Sequence, residues 1–558
     1  LITSAACGGV RPPVPLRPEP IPWADTVSVE EPEARPSAEA GRLFEVSTGG
    51  QLVRPFDLRR HFGGARPSLN LTRDDDVVSS AWWERRLGYD DLSPEDVAEG
   101  PPGGLPDTVG RLTVTDGKTV GVTPGFTVRD RKGREFLLKL DPAGHPRLAS
   151  GAGVVGARLF RAAGYHVPGD EVALFDPDRL GVAPDATIAT PGGERRMREG
   201  DVDRILSLTD SLPGGLYRAL FSPLLEGTPK GPFYFSGRRD DDPNDYYPHE
   251  HRRELRGLYV FSAWLNHVDM RFANTLDVYV PDGYVKHHLL DFGAALGSGS
   301  VRPHLPREGR EHNVDLWPVL GRLVTLGLYR PAWESESGEI IHPAVGWLPV
   351  ESYDPGGWKP LWPNPAFQSV TPADGYWAAK IVAAFSDAHL RAAVREARLP
   401  DVAADTLVDI LRFRRDRTVE HWYGQVSPVE EVRVAEPADA APEGGFTLTF
   451  RDLGLAEGLR AADGTRYRWR FEHGALDREA SGTAEASAGA DQHLRIPVGE
   501  SGTAGGSSGT TREGLSPEER IATVELRVVD DGDARPPAVV FLEWTGPGEG
   551  YRVSGLRH

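Results

Sequence analysis

Cysteine is almost missing from this chain of 558 residues, which contains Cys7 alone. An intrachain disulfide is therefore excluded, so the fold depends on its buried core and its hydrogen bonds. Lysine is also scarce. The chain has seven lysines among 63 basic residues, so that nearly all of its positive charge is arginine. This scarcity makes the position of each lysine informative.

Acidic residues outnumber basic residues in the chain. The formal net charge is -19 and the isoelectric point is about 5.4. Nucleic-acid binding is disfavoured, because it needs a basic surface to neutralise phosphates. There is no run of about 18 apolar residues, which disfavours a membrane-spanning helix. A hydrophobic content of 39% and an aromatic content of 9% are typical of a globular protein with several domains.

The first residues, "LITSAACGGVRPPVPLRPEP", place small residues before Cys7 and a Pro-rich tail after it. This resembles the end of a bacterial lipoprotein signal, in which the cysteine is lipidated. The resemblance implies membrane attachment through Cys7 and a location in the cell envelope, although Ser4 stands where such signals usually have leucine. A cytoplasmic protein with an untethered tail is the alternative. In both cases residues 1–40 are expected to be disordered.

Residues 41–110 predict an ordered extension, with Ser93 as the N-cap of a short helix. Residues 111–228 predict a strand-rich lobe. The runs "RLTVTDGKTVG", "GFTVRDRKG" and "EFLLKLDP" alternate apolar and polar residues around turns, and a helix and two further strands follow.

A wide apolar face over residues 251–267 predicts a buried helix, and residues 371–396 and 402–422 are also helical in pattern. Together they predict a helical lobe over residues 229–426. Residues 427–558 contain five strand-like runs separated by Gly/Ser/Asp turns, which predicts a β-sandwich-like domain. The expected fold class is α+β.

The stretch "HVDMRFANTLDVYVPDGYVKHHLLDFG", from residue 267, contains the residues that phosphoryl transfer needs. Asp269 is placed to orient an acceptor. Asn274 and Asp291 carry oxygen ligands that suit Mg²⁺. Two strand-like runs joined at "PDG" predict a hairpin, which would return Asn274 and Asp291 to the same end of a sheet. The alternative is a solvated turn with a capping aspartate.

The Asp-x4-Asn spacing followed by "DFG" resembles the protein-kinase-like fold. The "LLDFGAALGSGS" form is closer to phosphatidylinositol-kinase-like and HipA-like bacterial kinases. The resemblance covers about residues 111–425 and implies two lobes with ATP and Mg²⁺ as cofactors. It gives His267 and Asp269 the places of the catalytic-loop His and Asp. Val268 stands where the motif has Arg. Arg271 takes the place of a cation that faces the transferred phosphate.

The same resemblance assigns the nucleotide contacts. Lys139, at the end of an apolar strand, would hold the phosphates, although an edge-strand lysine reaching solvent is the alternative. Gly121 and Gly125 lie where backbone amides cover the phosphates, or they form an ordinary turn. Residues 225–227 fall where a hinge binds adenine. The candidates there are Leu225, Glu226 and Gly227.

One kinase feature is missing from the sequence. The helix after Lys139 has Gly153 where a partner glutamate is expected, and Glu171 is the candidate substitute. Two hypotheses therefore stay open. The first is an ATP- and Mg²⁺-dependent phosphotransferase whose acceptor is a protein, a lipid or a small molecule. The second is a catalytically inactive, kinase-like envelope lipoprotein that acts as a binding or scaffold protein.

Two other polar stretches predict no site. "RRDDDPND", residues 238–245, lacks the glycine and the final glutamate of a calcium loop and predicts a solvated turn. "PHEHRREL" is not a zinc-binding H-E-x-x-H motif. It predicts a helix start with His249 and His251 at the surface.

Overall fold

The computed structural model of the protein describes residues 25–36, 66–101, 103–117, 123–190, 193–435, 445–498, 514–530, 532–546 and 550–558. The predictions for Cys7 and Gly121 lie outside these residues. The described chain is mixed α+β and divides into two compact units. The larger contains Val78–His421 and the described residues up to Asn70, and the smaller contains Leu71–Val77 and Trp422–His558.

A seven-stranded sheet lies in the larger unit. Its strands are β1 (Leu112–Gly117), β2 (Gly125–Arg129), β3 (Glu135–Leu140), β4 (Glu171–Phe175), β5 (Leu180–Thr190), β6 (Gly193–Arg196) and β7 (Tyr217–Pro223). The spatial order is β4-β7-β3-β2-β1-β5-β6. Neighbouring strands are antiparallel except for β1 and β5, which are parallel.

The two faces of this sheet differ because side chains alternate along each strand. One face carries Leu138 and Phe221, in a core cluster that includes Val202 of helix α3 (Glu199–Leu206). The other face carries Lys139, which lies opposite Leu220 in the β3–β7 register. Helix α2 (Leu148–Ala162) packs on this second face and is buried along almost its whole length.

The other helices that begin in the larger unit are α1 (Pro94–Glu99), α4 (Arg253–Leu265), α5 (Leu316–Val324), α6 (Pro372–Ala383), α7 (Asp387–Arg395) and α8 (Asp401–Tyr423). Ser93 caps α1 by accepting from the Asp96 N–H group, as predicted. The helical pattern over 371–396 is two helices rather than one. Its second half restarts at Ser386, whose hydroxyl accepts from the His389 N–H group. No helix in the described residues is long and apolar enough to cross a membrane.

A small three-stranded sheet follows the large one. It is formed by β8 (Thr228–Pro229), β9 (Thr275–Tyr279) and β10 (Val285–Leu289), in the order β10-β9-β8. Strands β9 and β10 form the hairpin that "PDG" predicts. Its turn is closed by the Val280 N–H group, which donates to the Tyr284 carbonyl over 2.9 Å.

Residues 25–36 correct the expectation of a tail that is disordered throughout. The Val29 N–H group donates to the Gly283 carbonyl over 2.8 Å, and the Arg35 N–H group donates to the Lys230 carbonyl over 2.9 Å. Asp25 is buried and accepts from the Ala81 N–H group. These backbone and carboxylate hydrogen bonds hold the segment against the hairpin and the chain after β8.

The smaller unit contains two antiparallel sheets. Its elements are β11 (Val429–Val434), β12 (Phe446–Asp452), α9 (Leu453–Ala456), β13 (Arg466–His473), β14 (Arg478–Glu485), β15 (Asp491–Ile496), β16 (Ile521–Asp530), β17 (Asp533–Ala534), β18 (Ala538–Gly546) and β19 (Gly550–Arg557). One sheet has the order β11-β12-β15 and the other β14-β13-β16-β18-β19, with β17 paired to β16. Both contribute to one core, in which Leu448 and Val524 are fully buried. This is the packing expected of a β-sandwich.

Candidate active site

The β9–β10 hairpin brings two candidate metal ligands together. In its register Leu289 lies opposite Thr275. The pairing continues one residue further, because the Leu290 N–H group donates to the Asn274 carbonyl over 2.9 Å. Asn274 and Asp291 therefore lie at the same end of the hairpin. The local turn chemistry at "PDG" is what produces this proximity.

The loop before β9 holds Asp269 against Asn274. The Asn274 side-chain amide donates to the Asp269 carbonyl over 2.7 Å and to its carboxylate over 3.1 Å. Arg271 Nε lies 3.1 Å from the other carboxylate oxygen. Burial raises the pKa of Asp269 to about 6, although Arg271 and Asn274 act in the opposite direction. The carboxylate is thus oriented and titrates close to neutral pH.

His267 fastens this loop to the turn that follows β10. Its Nδ1 lies 3.2 Å from the Ala294 carbonyl, and the Val268 N–H group donates to the same oxygen over 3.2 Å. Burial lowers the pKa of His267 to about 4, so the ring is neutral at pH 7 and Nδ1–H is the donor. The histidine acts here as a structural link between two segments.

Lys139 contacts the candidate metal ligand directly. Its Nζ lies 3.0 Å from Asp291 Oδ1, and 13% of the lysine side chain is exposed. Burial acts to lower the pKa of Lys139, but the carboxylates of Asp291 and Asp170 outweigh it and raise that pKa. The ammonium is therefore charged, paired with Asp291 and stabilised electrostatically by Asp170.

Asp170 is the functional candidate that the sequence analysis missed. It is 2% exposed, and Ser222 Oγ donates to its carboxylate over 2.5 Å. Burial raises the pKa of Asp170 to about 6, although Lys139 and Ser222 act to lower it. The sequence signal that could have identified Asp170 is an acidic residue directly before a strand of the sheet that contains Lys139. Its neighbour Glu171 was named instead.

Glu171 does not partner Lys139, which corrects the suggested substitution. Its carboxylate accepts from Arg158 Nη2 of helix α2 over 2.5 Å. Successive residues of a strand point to opposite sides, so a shift of one position changes the partner. In the described structure Asp170, which directly precedes β4, rather than Glu171, is the carboxylate that acts on Lys139.

Helix α2 carries glycine where it approaches the site. A Cβ atom at Gly153 would lie 2.7 Å from Leu220 Cδ2, and one at Gly156 would lie 2.6 Å from Phe292 Cβ. Both distances are too short for a side chain. The missing glutamate at Gly153 is therefore explained by close packing of the helix on the sheet and on the "DFG" turn.

Gly156→Ala is expected to lower the free energy of unfolding by about 1–3 kcal/mol, because the added methyl group collides with Phe292 in a packed core. Gly200→Ala in α3 is the matched control. Its Cβ meets nothing within 4 Å, so helix propensity predicts a gain of about 0.5–1 kcal/mol. Urea denaturation of both variants checks the pair. Equal stability of the two would contradict the packing explanation.

Of the nucleotide-contact candidates, Gly125 lies on the same sheet as Lys139, whereas residues 225–227 lie beyond the end of strand β7. Gly125 is the Cα partner of Lys139 across β2 and β3. Leu225, Glu226 and Gly227 follow β7, beside the start of β3, where the Leu224 N–H group donates to the Glu135 carbonyl. That point is about 13 Å along β3 from Lys139. At Gly227, with φ of 118°, a Cβ would lie 2.4 Å from the Tyr279 carbonyl oxygen, so glycine is required.

Parts of the two polar stretches that predicted no site are buried, which corrects the expectation for Arg239, Asp245 and His249. Arg239 and Asp245 in the Asp-rich stretch are 1% and 4% exposed. His249 is buried and its Nε2 lies 2.7 Å from Asp245 Oδ2, while His251 Nδ1 accepts from Arg256. These contacts form a structural network rather than a solvated turn.

Comparison with known proteins does not identify a family for this chain. The chain matches none of the protein families against which it was compared. No curated protein is significantly similar to it.

Proposed function

We propose that this chain is an ATP- and Mg²⁺-dependent phosphotransferase of the atypical kinase type. The observation that carries the proposal is the grouping of Lys139, Asp269, Asn274 and Asp291 around one end of the β9–β10 hairpin. These are the residue types that phosphoryl transfer uses for a phosphate cation, an orienting carboxylate and two metal ligands. The acceptor is a protein, a lipid or a small molecule.

The donor set suits Mg²⁺. The Asn274 nitrogen is engaged by Asp269, which leaves its amide oxygen as the atom for a cation. Asp291 supplies a carboxylate next to it. Mg²⁺ takes hard oxygen ligands and commonly only one or two from the protein. When bound there, the ion would neutralise charge on the nucleotide phosphates.

Four side chains of the protein would have separate roles in phosphate transfer. Lys139 would hold the phosphates once Asp291 has turned to the metal, and Asp170 would keep the ammonium in place from the strand side. Asp269 would orient the acceptor hydroxyl and accept its proton. Arg271, 3.1 Å from Asp269, would stabilise negative charge on the transferred phosphoryl group.

Thermal unfolding of the full chain with and without Mg·ATP tests the proposal. A ligand at about 100 times its dissociation constant stabilises a protein by about 2.7 kcal/mol, so the melting temperature is expected to rise. The rise should need Mg²⁺ and should be largely lost in Asp291→Asn. Asparagine tolerates the left-handed backbone of Asp291, with φ of 59°, while removing the charge.

Asp282→Asn, an exposed position in the hairpin turn, is the matched control and should keep the full rise. The absence of any rise at millimolar Mg·ATP would overturn the proposed nucleotide site. An equal rise in the wild type and in Asp291→Asn would overturn the assignment of Asp291.

A second candidate function follows from the lack of an acidic residue on helix α2. A Cβ atom at Gly153 would lie 2.7 Å from Leu220 Cδ2, so a glutamate there would require Leu220 to shift. A catalytically inactive, kinase-like protein would tolerate this loss. In that case the chain would bind a partner at the cell envelope, attached through Cys7, with the β-sandwich-like unit as its interaction module. No stabilisation by Mg·ATP is the result that favours this candidate.

A further inference from the structure

An apolar pocket adjoins the catalytic loop. Its walls come from three segments, residues 234–236, 270–272 and 362–365. The lining residues are mainly aromatic, proline or methionine: Tyr234, Phe235, Met270, Phe272, Trp362, Pro363 and Pro365. None of the proposed nucleotide contacts is among them.

Arg271 joins this pocket to the reacting groups. It lines the pocket, and its Nε lies 3.1 Å from Asp269 Oδ1. A molecule in the pocket would therefore contact Arg271, which in turn contacts the carboxylate that would accept a proton. Of the proposed catalytic residues, Arg271 is the one that lines the pocket.

The pocket walls are fixed before any ligand arrives. The Leu361 N–H group donates to the Val268 carbonyl over 2.8 Å, which attaches one wall to the catalytic loop. Tyr234 and Phe272 pack edge to face with ring centres 5.5 Å apart. The Arg35 guanidinium lies over the Tyr234 ring at 5.2 Å. A preformed site of this kind costs little ordering on binding.

Asn364 in the lining has a side chain that is only partly hydrogen-bonded within the described residues. Asn364 is 3% exposed, and its side-chain oxygen accepts from the Ala366 N–H group over 3.0 Å. Its side-chain nitrogen has no hydrogen-bond partner among the residues that the structure describes. Buried amide groups are normally paired, so this nitrogen is a donor suited to an oxygen of a ligand.

We propose that this pocket binds the acceptor, and that the acceptor hydroxyl is carried on an aromatic ring, as in a phenol or a tyrosine side chain. The inference rests on the proposed phosphotransferase function. Aromatic and proline surfaces favour a flat ring, and a small number of polar groups fix its orientation. The Asn364 amide would donate to an oxygen of the ligand, such as a peptide carbonyl.

In the reaction the phenolic oxygen attacks the γ-phosphorus of ATP. A new P–O bond forms to the ring oxygen, and the bond from phosphorus to the β–γ bridging oxygen breaks. ADP leaves with that electron pair, and the phenolic proton passes to the Asp269 carboxylate. The products are an aryl phosphate and ADP.

The first test measures phosphate transfer from Mg·ATP by the full chain to three acceptors. These are N-acetyl-tyrosinamide, 4-methylphenol and N-acetyl-serinamide. We expect both phenols to be phosphorylated at least tenfold more efficiently than the serine amide. A preference for the tyrosine amide would identify a peptide source, and a preference for 4-methylphenol would identify a small phenol. A serine amide that reacts as well as the phenols would overturn the inference.

Two pocket variants locate the binding. Asn364→Asp keeps the oxygen that accepts from Ala366 and removes the amide donor, and Phe272→Leu removes a ring. Each is expected to raise KM for the tyrosine amide at least tenfold with little change in kcat. Phe413→Leu, at a residue that is 39% exposed in α8, is the matched control and should leave KM unchanged. Unchanged KM in both pocket variants would overturn the inference.

A binding measurement separates this inference from the proposed function. Saturation-transfer NMR reports binding of N-acetyl-phenylalaninamide, which has the ring but no hydroxyl, without any nucleotide. If Mg·ATP stabilises the chain but this probe does not bind, the acceptor inference is overturned and the nucleotide site stands. If the probe binds but Mg·ATP gives no stabilisation, the acceptor role falls together with the proposed function.

Discussion

Asp269→Asn is expected to lower phosphate transfer about 10²–10⁴-fold, the usual contribution of a positioned acid–base group. Asparagine keeps the shape of the side chain and an oxygen that can accept from Asn274, but it cannot take the acceptor proton. Binding of Mg·ATP should survive, because Asp269 is not one of the proposed metal ligands. Transfer rates and nucleotide-induced thermal shifts, measured on the same preparation, check both parts.

The pH dependence provides a further readout for Asp269. Burial raises its pKa to about 6, so the carboxyl group becomes protonated as the pH falls through 6 and can no longer accept a proton. Wild-type transfer should therefore fall below about pH 6, and the residual activity of Asp269→Asn should lack this acid limb. Asp405→Asn, at an exposed position of α8, should retain the wild-type profile. An acid limb in Asp269→Asn would assign the titration to another group.

Asp374→Ala is expected to destabilise the protein by about 3–5 kcal/mol, the cost of breaking a buried ion pair. Asp374 is 0% exposed, and it accepts from Arg253 over 3.1 Å and from Arg256 over 3.0 Å. The Ser68 hydroxyl donates to it over 2.7 Å. Removal of the carboxylate leaves two guanidinium groups of α4 buried without their main countercharge.

Urea denaturation monitored by far-UV circular dichroism measures this loss. Asp405→Ala is the control, because its exposed side chain predicts a change within about 0.5 kcal/mol. A loss below about 1 kcal/mol for Asp374→Ala would contradict the network and would mean that water replaces the carboxylate. Measurement of the transition at two protein concentrations excludes an effect of association.

Local patterns predicted much of the fold. Alternation gave β2, β3, β12, β13, β16 and β18, and turn residues gave the hairpin that joins Asn274 to Asp291. The pattern did not predict β14, whose sequence "REASGTAE" is small and polar. That strand pairs with β13 along eight residues, from Arg466 opposite Glu485 to His473 opposite Arg478. Pairing with an existing edge, rather than strand propensity, explains it.

The residues of the candidate site likewise fall into those proposed from local sequence and one that only the structure added. Asp269, Asn274 and Asp291 were proposed from their spacing along the chain, and Lys139 was proposed from its place at the end of an apolar strand. Asp170 was missed, since its effect on Lys139 depends on the pairing of β4 with β7 and of β7 with β3. Neighbouring residues at a strand point to opposite faces, so the sequence offers no local signal that separates Asp170 from Glu171.

The sequence by itself therefore determined the alternating strands, the buried helix before the loop that carries Asp269, and the hairpin at "PDG". These depend on periodicity and turn chemistry, which act over a few residues. Tertiary structure alone decided that residues 25–36 are ordered, that Arg239 and Asp245 are buried, and that Asp170 raises the pKa of Lys139. A charged group can be buried only where distant segments supply its countercharge and hydrogen bonds, and no local pattern encodes that supply.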